Sequence, residues 1–296
     1  MAFILKNDNL EIQIDAPNEN YNFSRFDWTG KIASVKFKNI PISGLEKEKY
    51  ENENENIFGK GFCNEFGIDS ALGFDDAKIG DWFHKIGVGL LKKEDSQYLF
   101  SKSYKIKPAK FKIDAKEQKI RLSCKSESAN GFSYLLKKEI ELHENGFTIH
   151  YYLKNIGEKD IRSNEYTHNF IALNKASIGD QYLLNFPFEL KEQQFGEIVN
   201  PEEKVVVGQN QINFASTIDQ EFFFSNLGGE ERVKAEWELI NLKSKISIKE
   251  TGNFQTNKVN LWGCKHVISP ELFYNIYLKP GKSTTWSRAY NLNNIE

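Results

Sequence analysis

The sequence has no apolar run approaching the roughly 20 residues that cross a bilayer as a helix. Its opening stretch, MAFILKNDNLEI, lacks the longer apolar segment and small-residue cleavage site of a secretory leader, so the expected compartment is the cytoplasm. Cysteine is scarce: Cys63, Cys124 and Cys264 are odd in number and show no CxxC spacing, which argues against a disulfide framework and a zinc site. The histidines lack metal-ligand spacing, and no bound metal or cofactor is expected. Neither sign of charge is in excess, with 39 Lys and Arg against 41 Asp and Glu, a net charge of -2 and a pI near 6.3. That balance gives no electrostatic footprint for nucleic acid or an anionic membrane, and points to a neutral small molecule as partner. Glycine-rich GVGLL has neither the GxGxxG pattern nor a helix after it, so a phosphate-cradling loop is excluded there.

Helical periodicity is also missing. In its place, period-two alternation recurs in KIASVKFKN (31–39), QYLFSKSYKI (97–106), KIRLSCKS (119–126), FTIHYYLKN (147–155) and ELFYNIYLK (271–279). These runs are rich in Val, Ile, Phe and Tyr, as half-buried antiparallel strands should be. The reading is all-β: a large antiparallel β-sandwich, with residues 1–296 as a single domain because no linker or internal repeat divides them. LEKEKYENENENI (45–57) is too polar to bury apolar area and reads as a solvated loop. The expected state is a monomer or a homodimer.

Four stretches carry groups able to do chemistry. NFSRFDWTGKIASVKFKN contains Arg25 and Asp27, which on spacing alone are a pair across a strand edge. GFCNEFGIDSALGFDDAKIGDWFHKIGVGLL contains Glu65, His84 and Lys85; in strand geometry His84 and Lys85 point to opposite faces. In SNEYTHNFIAL, an extended backbone aligns Tyr166, His168 and Phe170 on one face and turns Thr167, Asn169 and Ile171 to the other. An aromatic face with one or two placed polar groups suits a sugar ring, although spacing alone favours a merely satisfied histidine. In LWGCKHVISPELFYNIYLK, Pro270 suits a strand's start, which sets Glu271 at its head together with Phe273 and Asn275, while Trp262 and His266 stand nearby. Spacing leaves Glu271 open between a rim charge and a placed base.

The passage from YLKN (152–155) into NEYTHNFIAL resembles the strand, turn and histidine strand of the aldose 1-epimerase (galactose mutarotase) superfamily. The ending ISPELFYNIYLKPGKSTTWSRAY is similar to that superfamily's acidic residue, Pro-Gly turn and last strand, and the 24–39 and 66–91 stretches look like a bacterial aldose epimerase-like subgroup. The resemblance implies a mutarotase-like sandwich that interconverts the α and β anomers of a free sugar without a cofactor. It assigns His168 as general acid and Glu271 as general base. The superfamily's Gly-Arg-Phe run has no counterpart, so Arg25, Glu65, His84 and Lys85 are the candidates for its sugar-orienting groups, joined by Tyr166, Trp262 and His266 as substrate-binding residues. The competing reading is a sugar-binding or sugar-sensing protein of the same fold without turnover. A phosphorylated substrate ranks below a neutral one, because the five arginines form no obvious cluster.

Overall fold

The computed structural model describes residues 2–48 and 54–295. Among them the only helical pieces are three-residue 3-10 turns, and no helix is long and apolar enough to cross a membrane. Residues 49–53 of the polar 45–57 segment lie outside the described residues.

Three of the five alternating runs form the strands expected of them. KIASVKFKN gives Lys31–Phe37, KIRLSCKS gives Lys119–Lys125 and FTIHYYLKN gives Gly146–Asn155. The last of these pairs with Tyr134–His143 through a two-residue loop, and every second residue of Tyr134–His143 is buried. Ten strands make one sheet, at whose centre Ile246–Thr256, Ser283–Asn294 and Gly146–Asn155 lie side by side. A seven-stranded sheet runs through Phe3–Lys6, Leu10–Asp15, Lys31–Phe37, Phe62–Phe66, Ile161–Asn169 and Tyr274–Leu278, with Ile40–Pro41 on its flank. The two sheets pack face to face: Phe62 meets Phe147 and Tyr290 at centroid distances of 5.6 and 5.0 Å, and Phe66 meets Trp286 at 6.3 Å. The expected antiparallel sandwich is therefore present.

Two smaller sheets stand beside it. One holds four strands, Ile198–Val199, Phe222–Phe224, Val259–Gly263 and Ile268–Leu272. The other holds Trp82–Lys85, Gly89–Lys92 and Ile106–Pro108.

Two strand expectations need correction. QYLFSKSYKI is turn and coil up to Lys105, with only Ile106 entering a strand. Its aromatic residues pack on cations, Tyr98 Oη against the buried Lys85 Nζ at 2.8 Å and the Phe100 ring under the half-buried Arg25 at 4.6 Å. ELFYNIYLK is two strands, not one. The chain leaves the four-stranded sheet after Leu272 and joins the seven-stranded sheet at Tyr274, so Phe273 is a corner. Pro270 accordingly lies within Ile268–Leu272, and Glu271 sits near that strand's end, not its head.

Candidate functional site

The corner at Phe273 creates the site. Tyr274–Leu278 pairs antiparallel with Ile161–Glu165, and beyond the corner Ile268 bridges Ile171. Both pairings keep one register, so the residues between them fall opposite one another: Tyr166 against Phe273, His168 against Glu271, Asn169 against Pro270. The ladder itself is broken there, since Pro270 has no N–H to give. Side chains bridge the gap instead: Ser269 Oγ accepts the Asn169 N–H at 2.9 Å, and Asn169 Nδ2 donates to the Pro270 carbonyl at 2.7 Å. Opposed residues of an antiparallel pair share a face. Tyr166 thus stacks on Phe273 at 4.6 Å, and His168 Nε2 lies 3.5 Å from Glu271 Oε1.

His168 and Glu271 line a cleft of about 1370 Å³. Phe170 stacks on the imidazole at 4.3 Å, while Trp262 and Phe26 meet its edges at 5.1 and 5.9 Å. This aromatic box removes water from one side of the ring, and Nδ1 has no hydrogen-bond partner among the described residues. Burial, reinforced by the Arg25 charge, holds His168 well below the ordinary histidine range. Burial also pushes the Glu271 carboxyl up to about 8; Arg25 pulls against this and Glu65 adds to it. Among the described residues the only hydrogen bond the carboxyl accepts is a long one, from Ser269 Oγ at 3.4 Å. At neutral pH the pair therefore holds one proton, on Glu271, beside a neutral imidazole. This differs from the charged arrangement implied by the resemblance, because burial disfavours the charged form of each group.

Below the cleft lies a second cluster. Glu65, fully buried, accepts from Tyr166 Oη at 2.7 Å, Arg25 Nε at 2.9 Å and Lys85 Nζ at 3.2 Å. Burial alone would raise its pKa, but Lys85 and Arg25 outweigh that and hold it below the usual range. Arg25 reaches the cleft with its remaining edge, bonded to Glu46 at 3.3 Å, and its guanidinium lies over Phe26 and Phe100 at 4.6 Å.

The residues singled out from sequence divide three ways. His168, Glu271, Arg25, Tyr166, Trp262 and His266 all line the cleft. Glu65 and Lys85 do not reach it; they lie underneath and brace Arg25 and Tyr166. His84 is elsewhere: it faces away from Lys85, its Nε2 donates to the Phe132 carbonyl at 3.1 Å, and burial lowers its pKa to about 4. The strand alternation separates the two neighbours, as one residue of every adjacent pair must face away. Nor do Arg25 and Asp27 pair. Asp27 is buried between the large sheets with Lys138 Nζ at 3.0 Å.

Behind the cleft wall stands a layer that the sequence did not announce. Glu165 Oε2 accepts from Trp286 Nε1 at 2.9 Å and Arg288 at 2.7 Å, and Arg288 also bonds Glu250 at 2.7 Å and the Leu272 carbonyl at 2.7 Å. Glu250 in turn accepts from Trp237 Nε1 at 2.9 Å and Asn169 Nδ2 at 3.3 Å. Arg288 thereby ties the strand bearing His168 and the strand bearing Glu271 to the ten-stranded sheet.

No family model matches the chain, and no curated protein matches it significantly. Solved structures do. A galactose mutarotase-like protein from Lactobacillus casei superposes with a TM-score of 0.62 at 14% identity, over 99% of this chain and 100% of its own. One from Clostridium acetobutylicum gives 0.60 at 13%, over 99% and 95%. An aldose epimerase homologue from C. elegans gives 0.56 at 10%, over the full length of both chains. At these identities the likeness speaks for the fold: the chain has the galactose mutarotase-like β-sandwich.

Proposed function

We propose that the cleft is an aldose 1-epimerase site, in which Glu271 and His168 open and reclose the ring of a free sugar. The observation that carries this reading is the opposed, unpaired couple of titratable groups, 3.5 Å apart at the wall of a cleft walled by aromatic rings. The hydroxyl oxygen O1 and the ring oxygen O5 are both bonded to C1. An acid and a base set side by side can therefore address both, with no need to flank the sugar from opposite sides.

His168, neutral at rest, takes the proton of the O1 hydroxyl while Glu271 delivers its own to O5 as the C1–O5 bond breaks. The products are an open-chain aldehyde, an imidazolium and a carboxylate. The two new charges lie next to each other, which offsets the cost of forming them in a dry wall. After rotation about C1–C2, the 5-hydroxyl adds to the other carbonyl face, returning its proton to Glu271 as His168 returns the first to O1. Protons balance over the cycle and no cofactor takes part. The assignment of acid and base is the reverse of the one implied by resemblance, while the pair of residues is the same.

Arg25, fixed from below by Glu65, presents its remaining N–H donors to the sugar hydroxyls, Tyr166 is held in the cleft wall by the proton it gives Glu65, and Trp262 offers an apolar face to the ring's C–H groups. Polarimetry on freshly dissolved α-glucose and α-galactose, comparing wild type with His168→Asn and Glu271→Gln, tests the reading. Acceleration by wild type that both variants lose supports it. Wild-type rates in either variant, with the fold retained, contradict it. A wild type that binds these sugars without accelerating either favours the non-catalytic reading.

A further inference from the structure

The cleft floor is longer than one sugar needs. It is the face of the four-stranded sheet, and the strand registers place its residues in rows. Glu271 pairs across to Asn260, and the continuing register sets Ser225 beside Asn260 and Glu197 beside Ser225. The neighbouring bonds agree: Asn226 N donates to Asn260 Oδ1 at 3.2 Å and Ser225 N to the Glu197 carbonyl at 2.9 Å. Next to this polar row, Phe223 pairs with Trp262, the ring that touches His168. All six of these side chains line the cleft. Three strand spacings separate Glu271 from Glu197, a run of about 14 Å. That is well beyond the width of a single pyranose.

We propose that this cleft takes a neutral oligosaccharide by its reducing end, with the terminal ring at His168 and Glu271 and the following rings laid across Trp262 and Phe223 toward Glu197. A row of hydrogen-bonding side chains beside a row of aromatic ones matches what a glycan chain presents, hydroxyls along its edges and C–H faces on its rings. The far end sets the charge of the ligand. Glu197 lines it with no cationic partner within 4.0 Å among the described residues. A uronic or phosphorylated chain would meet that uncompensated carboxylate there, whereas a neutral chain meets an acceptor for its hydroxyls.

The inference rests on the epimerase reading for its orientation and on the floor for its length, and the test separates the two. Anomer exchange is measured by NMR for maltotriose, cellotriose and β-1,4-galactotriose, each against its own monosaccharide. The expected result is a kcat/KM about tenfold higher for at least one trisaccharide, with the ratio falling to about one in Phe223→Ala and persisting in Phe223→Tyr. Saturation-transfer difference NMR on Glu271→Gln should then show contact to the second and third rings of the favoured chain. Should wild type fail to exchange any anomer while that multi-ring contact persists, the epimerase reading falls and the oligosaccharide cleft stands. Ratios near one for all three chains in wild type, or contact confined to the reducing-end ring, overturn the proposal.

Discussion

The strand Ile161–Asn169 has two faces that solve the same problem in opposite ways. Both bury ionisable groups. On the inner face, Glu165 meets Arg288 at 2.7 Å and Arg288 meets Glu250 at 2.7 Å; of the polar atoms in this triad, only Arg288 Nε lacks a partner. On the outer face, one residue away in alternation, His168 and Glu271 are equally dry and have neither an ion pair in the resting state nor a strong hydrogen bond. Charges that hold the sheets together are paired; groups free to exchange protons are left unpaired. Unpaired burial disfavours the charged forms, and this brings a carboxyl to about 8, within reach of proton transfer at neutral pH.

The comparison is broken most severely at the outer face. Replacing Glu271 by Gln or His168 by Asn is expected to lower anomer exchange by about 10²- to 10⁴-fold while urea denaturation still reports a cooperative fold. At the inner face the expected damage is to stability. Arg288→Met strands Glu165 and Glu250 between the sheets and should cost about 3 to 5 kcal/mol in urea denaturation. Equal stability in that variant would mean that the inner pairs do not hold the strands.

The pH profile of kcat/KM sharpens the contrast with a smaller effect. The active pair carries one proton, so activity should fall on the alkaline side near pH 8 as Glu271 ionises, and on the acid side only well below pH 6.5 as His168 gains a proton. An alkaline limb absent up to pH 10 would contradict the one-proton pair. The smallest effect is expected at His84, which belongs to neither face. His84→Gln should leave anomer exchange at the wild-type level and change stability by about 1 kcal/mol, both read on one purified sample.

What could be read from the sequence follows the same division. Alternation was enough to group Tyr166, His168 and Phe170, and to turn Thr167 and Asn169 away, because period two is a property of the chain itself. That His168 lies opposite Glu271 was not legible, since register belongs to pairs of strands and here depends on a chain that changes sheets at Phe273. Resemblance supplied the partnership that spacing could not. The inner layer was hidden for a different reason: alternation sets Glu250 in ISIKETGNF with Ile246 and Ile248, and Arg288 in STTWSRAYNL with Trp286 and Tyr290, but the contact between the two strands that makes their burial tolerable is not written in either run. The cleft floor was missed because Phe223 lies in, and Glu197 and Ser225 flank, strands of two or three residues, too short to show a period.

The most direct test of the unpaired outer face is the thermal stability of Glu271→Gln against wild type at pH 5 and pH 8. The carboxyl moves from 4.5 up to about 8 on folding. Between those values the folded protein keeps a proton that the unfolded chain has released, so this group's contribution to wild-type stability is full below 4.5 and falls as pH rises toward 8. Glutamine does not titrate. The melting temperature of the variant relative to wild type should therefore rise from pH 5 to pH 8, in protein that no longer exchanges anomers. A difference that stays constant, or moves the other way, would show that Glu271 is ionised and paired in the folded state, and the account of the cleft would fail.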